Sequence, residues 1–133
     1  MKVGILKEIK VLEKRVCMVP SGVSTMISNG HEVVVERDAG LGAGFPDSEY
    51  IVAGATMMDS PTDVFGSCDM VMHVKEPQPS EYDLIREGQI VFTYLHLAAD
   101  EQQTRALMKS KSVDIAYETI EKEDGSLPLL VPM

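Results

Sequence analysis

Positive charge is scarce in this chain of 133 residues: 12 lysines and arginines face 21 aspartates and glutamates, a formal net charge of −9. Binding to nucleic-acid phosphates needs a concentrated positive field, and no local run of basic residues supplies one. A nucleic-acid partner is therefore not expected. Cysteine is limited to Cys17 and Cys68, far apart and without CxxC spacing. Both read as buried small hydrophobes, and no metal site is expected from them or from the scattered histidines. Long apolar runs are missing too. The longest are strand-sized, such as Val33-Val34-Val35, well short of the ~18–20 residues a membrane helix needs. The opening Met1-Lys2-Val3-Gly4-Ile5 has no basic stretch followed by an apolar core and a cleavage site. A cytoplasmic location without a membrane partner is the expectation. Internal repeats and low-complexity segments are also lacking.

What is present suits one globular domain spanning residues 1–133, with 44% apolar and 25% charged residues. The nine methionines are scattered and read as flexible core filling. Short β-branched runs alternate with amphipathic stretches. Strands are expected at 2–6, 32–36, 56–58, 69–74, 89–93 and 113–117. Pro20 opens a helix that stops at Asn29-Gly30. Asp47 is read as the N-cap of a short helix to Val52, and Ser60-Pro61 starts another in the Ncap–N1 arrangement. Segments 79–86 and 100–110 read as helices. The near-continuous apolar character of the strand at 69–74 predicts a sheet covered on both faces. The fold class expected is α/β, a three-layer, Rossmann-like, mostly parallel sheet with helices on both faces. Asp124-Gly125 is a hairpin turn signal. The apolar ending Leu127–Met133 reads as a segment that continues into, or packs onto, something further.

Ala39-Gly40-Leu41-Gly42-Ala43-Gly44-Phe45 follows a strand and precedes a helix, the setting of a dinucleotide-binding turn. The spacing is wrong, with Phe45 where the third glycine of G-x-G-x-x-G belongs, and Pro46 interrupts the turn. A surface loop is the expectation.

Three residues stand where chemistry could be done. Arg15 follows a polar loop and precedes an apolar stretch, where a guanidinium can grip a carboxylate through two parallel hydrogen bonds. A solvated or salt-bridged arginine is the ordinary explanation of such a residue, and composition alone does not promote it. Lys75 closes an apolar strand, and ligands of open α/β sheets bind beyond the carboxyl ends of strands. Its ordinary explanation is a surface lysine paired with Glu76. His96 repeats that placement after Ile90–Leu95, as an acid or base near neutral pH or as a satisfied core histidine. His31 lies at the wrong strand edge, and His73 is read as lying within a strand without nearby ligands.

Lys7-Glu8-Ile9-Lys10, Glu13, Arg15-Val16 and Pro20-Ser21-Gly22-Val23 resemble the opening of alanine dehydrogenases and of the related transhydrogenase subunit. Gly30-His31-Glu32-Val33, Ala39-Gly40, Tyr50 and Ala53-Gly54-Ala55 continue the likeness. Val74-Lys75-Glu76-Pro77 and Phe92-Thr93-Tyr94-Leu95-His96-Leu97-Ala98 resemble the alanine dehydrogenase versions in particular, as do Ala116-Tyr117-Glu118-Thr119 and Leu127–Met133. The resemblance implies that Arg15 and Lys75 bind the carboxylate and the oxygen of pyruvate. It implies that His96 is the general acid/base, moving a proton on the carbinolamine as ammonia departs, and that Met133 lines the cleft. The reaction implied is reversible oxidation of L-alanine by NAD to pyruvate and ammonia, in a homo-oligomer that is hexameric in the family. Residues 127–133 would begin the connection to a nucleotide-binding domain. NAD is expected to be held by that domain and not by this chain, which would then need a separate nucleotide-binding chain for turnover. Alternatives are a non-catalytic remnant, a small-carboxylate-binding module, or a transhydrogenase-like fragment. The sequence departs from the family at His73, where a lysine is usual, at Val11-Leu12, where polar residues are common, and at Leu6, where proline is common.

Overall fold

The alternation of β-branched and amphipathic segments resolves, in a computed structural model describing residues 1–133, into six strands. These are β1 (Lys2–Ile5), β2 (Glu32–Glu36), β3 (Thr56–Met58), β4 (Met70–Met72), β5 (Ile90–Thr93) and β6 (Val113–Ala116). They form one sheet in the order β3-β2-β1-β4-β5-β6, and every neighbouring pair is parallel. The α-helices are α1 (Pro20–Ser28), α2 (Asp47–Val52), α3 (Pro61–Ser67) and α4 (Glu101–Ser110).

Strand side chains alternate between faces, and the core divides accordingly. Val34 and Val71 belong to one cluster with Val64 and Phe65 of α3 and Leu107 of α4. Val33, Val35 and Met72 belong to a second with Val23 of α1 and Tyr50 of α2. The three-layer expectation is met. At Gly4 an added Cβ would lie 2.5 Å from Val64 Cγ1 and 2.9 Å from Cys68 Sγ, so only a glycine lets α3 pack this closely on β1.

Most boundaries fall within a residue or two of expectation, with informative exceptions. Asp47 is the first residue of α2, not its N-cap, which is Pro46; its carboxylate instead accepts the Asp38 N–H at 2.9 Å. Ser60 does cap α3, accepting from Asp63 N–H at 3.2 Å. The expected helix at 79–86 is a 3-10 segment, Pro79–Leu84. Its Glu81 is drawn inward to His73 and its side chain accepts the Gln78 N–H at 2.9 Å. Asp124-Gly125 forms a turn closed by Lys122 N–H donating to Ser126 O at 2.9 Å, but no strands flank it, so it is not a hairpin. The glycine-rich stretch is a short 3-10 turn, Leu41–Ala43.

The chain leaves β1 toward β2 on one side of the sheet, and β4 lies on the other. This is the topological switch point at which open α/β sheets form a crevice beyond the carboxyl ends of their strands. The segments leaving β1, β4, β5 and β6 all converge on that edge. No helix is long and apolar enough to cross a membrane.

Candidate functional site

Two adjoining recesses open at this edge. The larger, about 490 Å³, is lined mainly by apolar side chains, including Val16, Met72, Phe92 and Tyr117, with Arg15 at its rim. The smaller, about 350 Å³, is polar and holds Lys10, Lys75, Glu76, His96 and Glu118. Tyr94 and Met133 line both. The floor is aromatic: Phe92 and Tyr94 each meet Tyr117 edge-on, with ring centroids at 4.4 and 4.8 Å. The Tyr94 hydroxyl donates to the Leu129 carbonyl, which folds the chain's last residues back over the cleft. The four residues singled out by sequence therefore share one crevice, with Lys75 and His96 in one lobe and Arg15 in the other.

A glutamate anchors the backbone of each of the three charged or titratable candidates. The Arg15 N–H donates to Glu13 Oε1 at 3.0 Å, the Lys75 N–H to Glu8 Oε1 at 2.7 Å, and the His96 N–H to Glu118 Oε1 at 2.7 Å. Hydrogen bonds to an ionised acceptor are about twice as strong as neutral ones, so these carboxylates fix where the side chains depart.

The Arg15 guanidinium is itself engaged. Its Nε and Nη2 donate to the two Glu13 oxygens, each at 2.7 Å, while Nη1 faces Met133 Sδ at 3.7 Å. The Arg15 hydrogen bonds hold the Glu13 carboxyl at about 2, against its ordinary 4.5, and the nearby Lys75 charge adds to this. One edge of the guanidinium is thereby spent on orientation, and Nη1 remains for a ligand.

Lys75 is not paired with Glu76. Lys10 takes that carboxylate, Nζ to Oε1 at 2.5 Å, and among the seven ion pairs of the chain none involves Lys75. A half-buried lysine without an ion-pair partner is left lining the lobe.

His96 sits in the left-handed region, φ 49° and ψ 43°, a conformation that costs a non-glycine residue about 1–3 kcal/mol and concentrates at functional sites. Glu118 holds it by also accepting the Leu95 N–H at 3.0 Å, and buried Gln103 donates to the Leu95 carbonyl at 2.8 Å. The imidazole itself is exposed at the mouth of the lobe.

His73 differs most from expectation. It lies just beyond β4 and is 3% exposed, with Nδ1 2.5 Å from Glu8 Oε2 and Nε2 2.6 Å from Glu81 Oε2. Burial opposes its charge, yet the hydrogen bonds it donates to Glu8 and Glu81 prevail and raise its pKa to about 10. The sequence offers no partner for His73 because both partners come from distant segments that only the fold brings together. Burial pushes the Cys17 thiol, on the cleft wall, well above its ordinary range. No three His, Cys, Asp or Glu side chains converge in a way that would hold a metal.

The family profile described as "Alanine dehydrogenase/PNT, N-terminal domain" matches residues 4–133. The chain belongs to that family. It is 49% identical to the alanine dehydrogenase of Methanococcus maripaludis over 133 residues, all of this chain but 36% of that protein. A solved L-alanine dehydrogenase superimposes with a TM-score of 0.96 at 50% identity, covering 99% of this chain and 36% of the other. The transhydrogenase from Sinorhizobium meliloti gives 0.82 at 30% identity, over 89% and 35%. This family member thus spans little more than a third of the relatives it matches. The dinucleotide-turn context does not fit NAD here. Gly40 is needed because a Cβ would lie 2.6 Å from the Tyr50 ring and 2.8 Å from the Phe45 carbonyl, and Gly42 packs on the Lys14 backbone. Both glycines therefore have packing roles in this turn.

Reasoning from sequence did not find Glu8, Glu118 or Gln103 as members of the site. Glu8 carried a usable signal. It follows the apolar run Val3–Leu6, the same strand-end position that drew attention to Lys75 and His96.

Proposed function

We propose that this chain is the substrate-binding part of an NAD-dependent alanine dehydrogenase, catalysing reversible oxidative deamination of L-alanine to pyruvate and ammonia. The observation that carries this reading is the unpaired Lys75 in the same lobe as His96, adjoining the lobe that Arg15 lines. A small 2-oxo acid matches that set. Its carboxylate suits Arg15 Nη1, and its carbonyl oxygen suits the Lys75 ammonium. Its methyl group suits the apolar lobe, where Met133 contributes. His96 is then the group that gives and takes the proton at the substrate oxygen and nitrogen, a role that an exposed imidazole at the mouth of the lobe can fill. Two fixed cations orient the substrate, which is the main contribution positioning makes to such a reaction.

NAD accepts the reducing equivalent in this reading and would be bound by the portion that the longer relatives have beyond the matched region. No residue of this chain is assigned to it. The same reading places the protein in the cytoplasm as a homo-oligomer, a hexamer in line with the family resemblance.

Isothermal titration with pyruvate tests the assignment. Binding that weakens at least tenfold in both Arg15→Ala and Lys75→Met is expected, since each removes a charge-assisted contact of about 1.5–3 kcal/mol. Equal affinity in all three proteins overturns it and favours a carboxylate-binding remnant whose site lies elsewhere.

A further inference from the structure

The segment carrying Lys75 is held at both ends by one buried array. Glu8, 9% exposed, lies past the end of β1. It accepts the N–H of Val74 on Oε2 at 3.0 Å and of Lys75 on Oε1 at 2.7 Å. At the other end Glu81, 2% exposed, accepts the Gln78 N–H on Oε1 at 2.9 Å. His73 joins the two, with Nδ1 on Glu8 and Nε2 on Glu81. Between the clamps, Thr93 Oγ1 donates to the Lys75 carbonyl at 2.9 Å and Gln78 Nε2 to the Glu76 carbonyl at 2.9 Å.

We propose that the Glu8–His73–Glu81 array is a positioning device for Lys75, in which the doubly hydrogen-bonded imidazolium of His73 locks two carboxylates that fix residues 74–78 at both ends. The proposal rests on the reading of Lys75 as a substrate ligand and adds the residues that aim it. His73 is shut away from the crevice and touches no substrate, so its role is to position and not to catalyse.

Energetics favour a specifying role over a stabilising one. Burying two carboxylates and a cation costs several kcal/mol per ion, and well-packed apolar side chains of similar volume often give equal or greater stability. What an apolar replacement cannot do is pass defined acceptors to the N–H groups of residues 74, 75 and 78. Removal of the cation leaves Glu8 and Glu81 as two buried like charges, and one must take a proton or turn away. Either change withdraws an acceptor from the Lys75 segment. Glu36, the third buried carboxyl of the chain, is occupied by the Lys7 N–H at 2.8 Å.

Amide hydrogen exchange followed by ¹H–¹⁵N NMR on this chain tests the device, with His73→Gln, His73→Lys and Glu81→Gln beside the wild type. At neutral pH the wild type should show both His73 ring N–H signals and protected amides at Val74, Lys75 and Gln78. In His73→Gln those three amides should exchange at least tenfold faster relative to β5 amides, and pyruvate should bind about tenfold more weakly, as expected for loss of one charge-assisted hydrogen bond. His73→Lys, which restores a cation, should recover part of both losses. Glu81→Gln tests the lock from its far end: loss at Gln78 together with Lys75 supports it, whereas loss at Gln78 alone overturns it. A folded His73→Gln with unchanged protection at Lys75 also overturns it. If His73→Gln does not fold, the wild-type ring signals and Glu81→Gln decide, and a missing ring N–H counts against the lock. Responsive amides in a protein that binds no pyruvate would support the lock while sinking the substrate reading.

Discussion

Replacing His73 with leucine puts the buried charges of this protein to the most demanding test. The substitution removes the cation between Glu8 and Glu81, both almost wholly buried, and leaves two carboxylates without their shared partner. Breaking a buried pair in this way costs about 3–5 kcal/mol. A chain of 133 residues unfolds with an entropy of about 0.28 kcal/mol/K, so the melting temperature should fall by about 11–18 °C at pH 7. The pH dependence is more specific. The folded-state pKa of His73 is raised from its ordinary 6.5 to about 10, burial opposing the charge and the Glu8 and Glu81 hydrogen bonds outweighing it. Its contribution is therefore complete below pH 6.5 and is lost as pH climbs toward 10. Within that window the folded chain holds one proton that the unfolded chain does not, a slope of about 1.4 kcal/mol per pH unit. Differential scanning calorimetry at half-unit steps from pH 6 to 10 should show the His73 proton lowering the wild-type melting temperature by about 5 °C per unit above pH 6.5. A wild-type melting temperature that stays flat across the window would refute the charged-imidazolium assignment.

Other expectations follow from the carboxylate anchors and the packing. The folded-state pKa of Glu13 lies at about 2, below its ordinary 4.5, chiefly through the Arg15 hydrogen bonds. Its contribution is present above pH 4.5 and lost as pH falls toward 2. Acid unfolding followed by circular dichroism should therefore show Glu13→Gln less stable than wild type at pH 6 but converging with it near pH 2. Glu118→Gln weakens the acceptor for two amides at the His96 turn and should lower stability by about 1–2 kcal/mol in urea, with the His96 amide shift moving most in NMR spectra. His96 holds a left-handed conformation, so His96→Gly should be about 1 kcal/mol more stable than His96→Ala while both lose the imidazole; a less stable glycine variant would contradict the strain. Gly4→Ala forces a Cβ within 2.5 Å of Val64 Cγ1 and should cost about 1–3 kcal/mol by denaturant titration.

How much of this was legible in the sequence depends on whether a feature is local. The strand β2 announces itself through Val33-Val34-Val35, and Ser60-Pro61 marks the start of α3, because both signals are carried by neighbouring residues. Lys75 and His96 could be flagged because strand ends are visible in sequence, and the sheet order then brings those ends together. Arg15 could not be promoted on its own residues, since its placement depends on a loop whose path is set by Glu13 and by the packing of Gly42 on Lys14. The partners of His73 lay beyond reach for the same reason: Glu8 is 65 residues away along the chain. Asp47 was misread as a cap because its carboxylate has a competing donor in Asp38, which appears only once the turn before α2 has closed. The pairing of Lys10 with Glu76, which leaves Lys75 free, is likewise a contact across 66 residues. It turns a residue with an ordinary explanation into the strongest member of the site.

If Arg15, Lys75 and His96 form a working site for alanine and pyruvate, supplying a nucleotide-binding portion should yield an active enzyme. The most direct test joins this chain to the part of the M. maripaludis alanine dehydrogenase that lies beyond its matched 133 residues, and follows NADH formation from L-alanine and NAD. Turnover is expected in the joined protein, with a loss of at least 100-fold in His96→Ala, the low end of what a general acid/base contributes. A joined protein that folds and binds NAD but does not oxidise alanine would contradict this site assignment, as would an undiminished rate in His96→Ala.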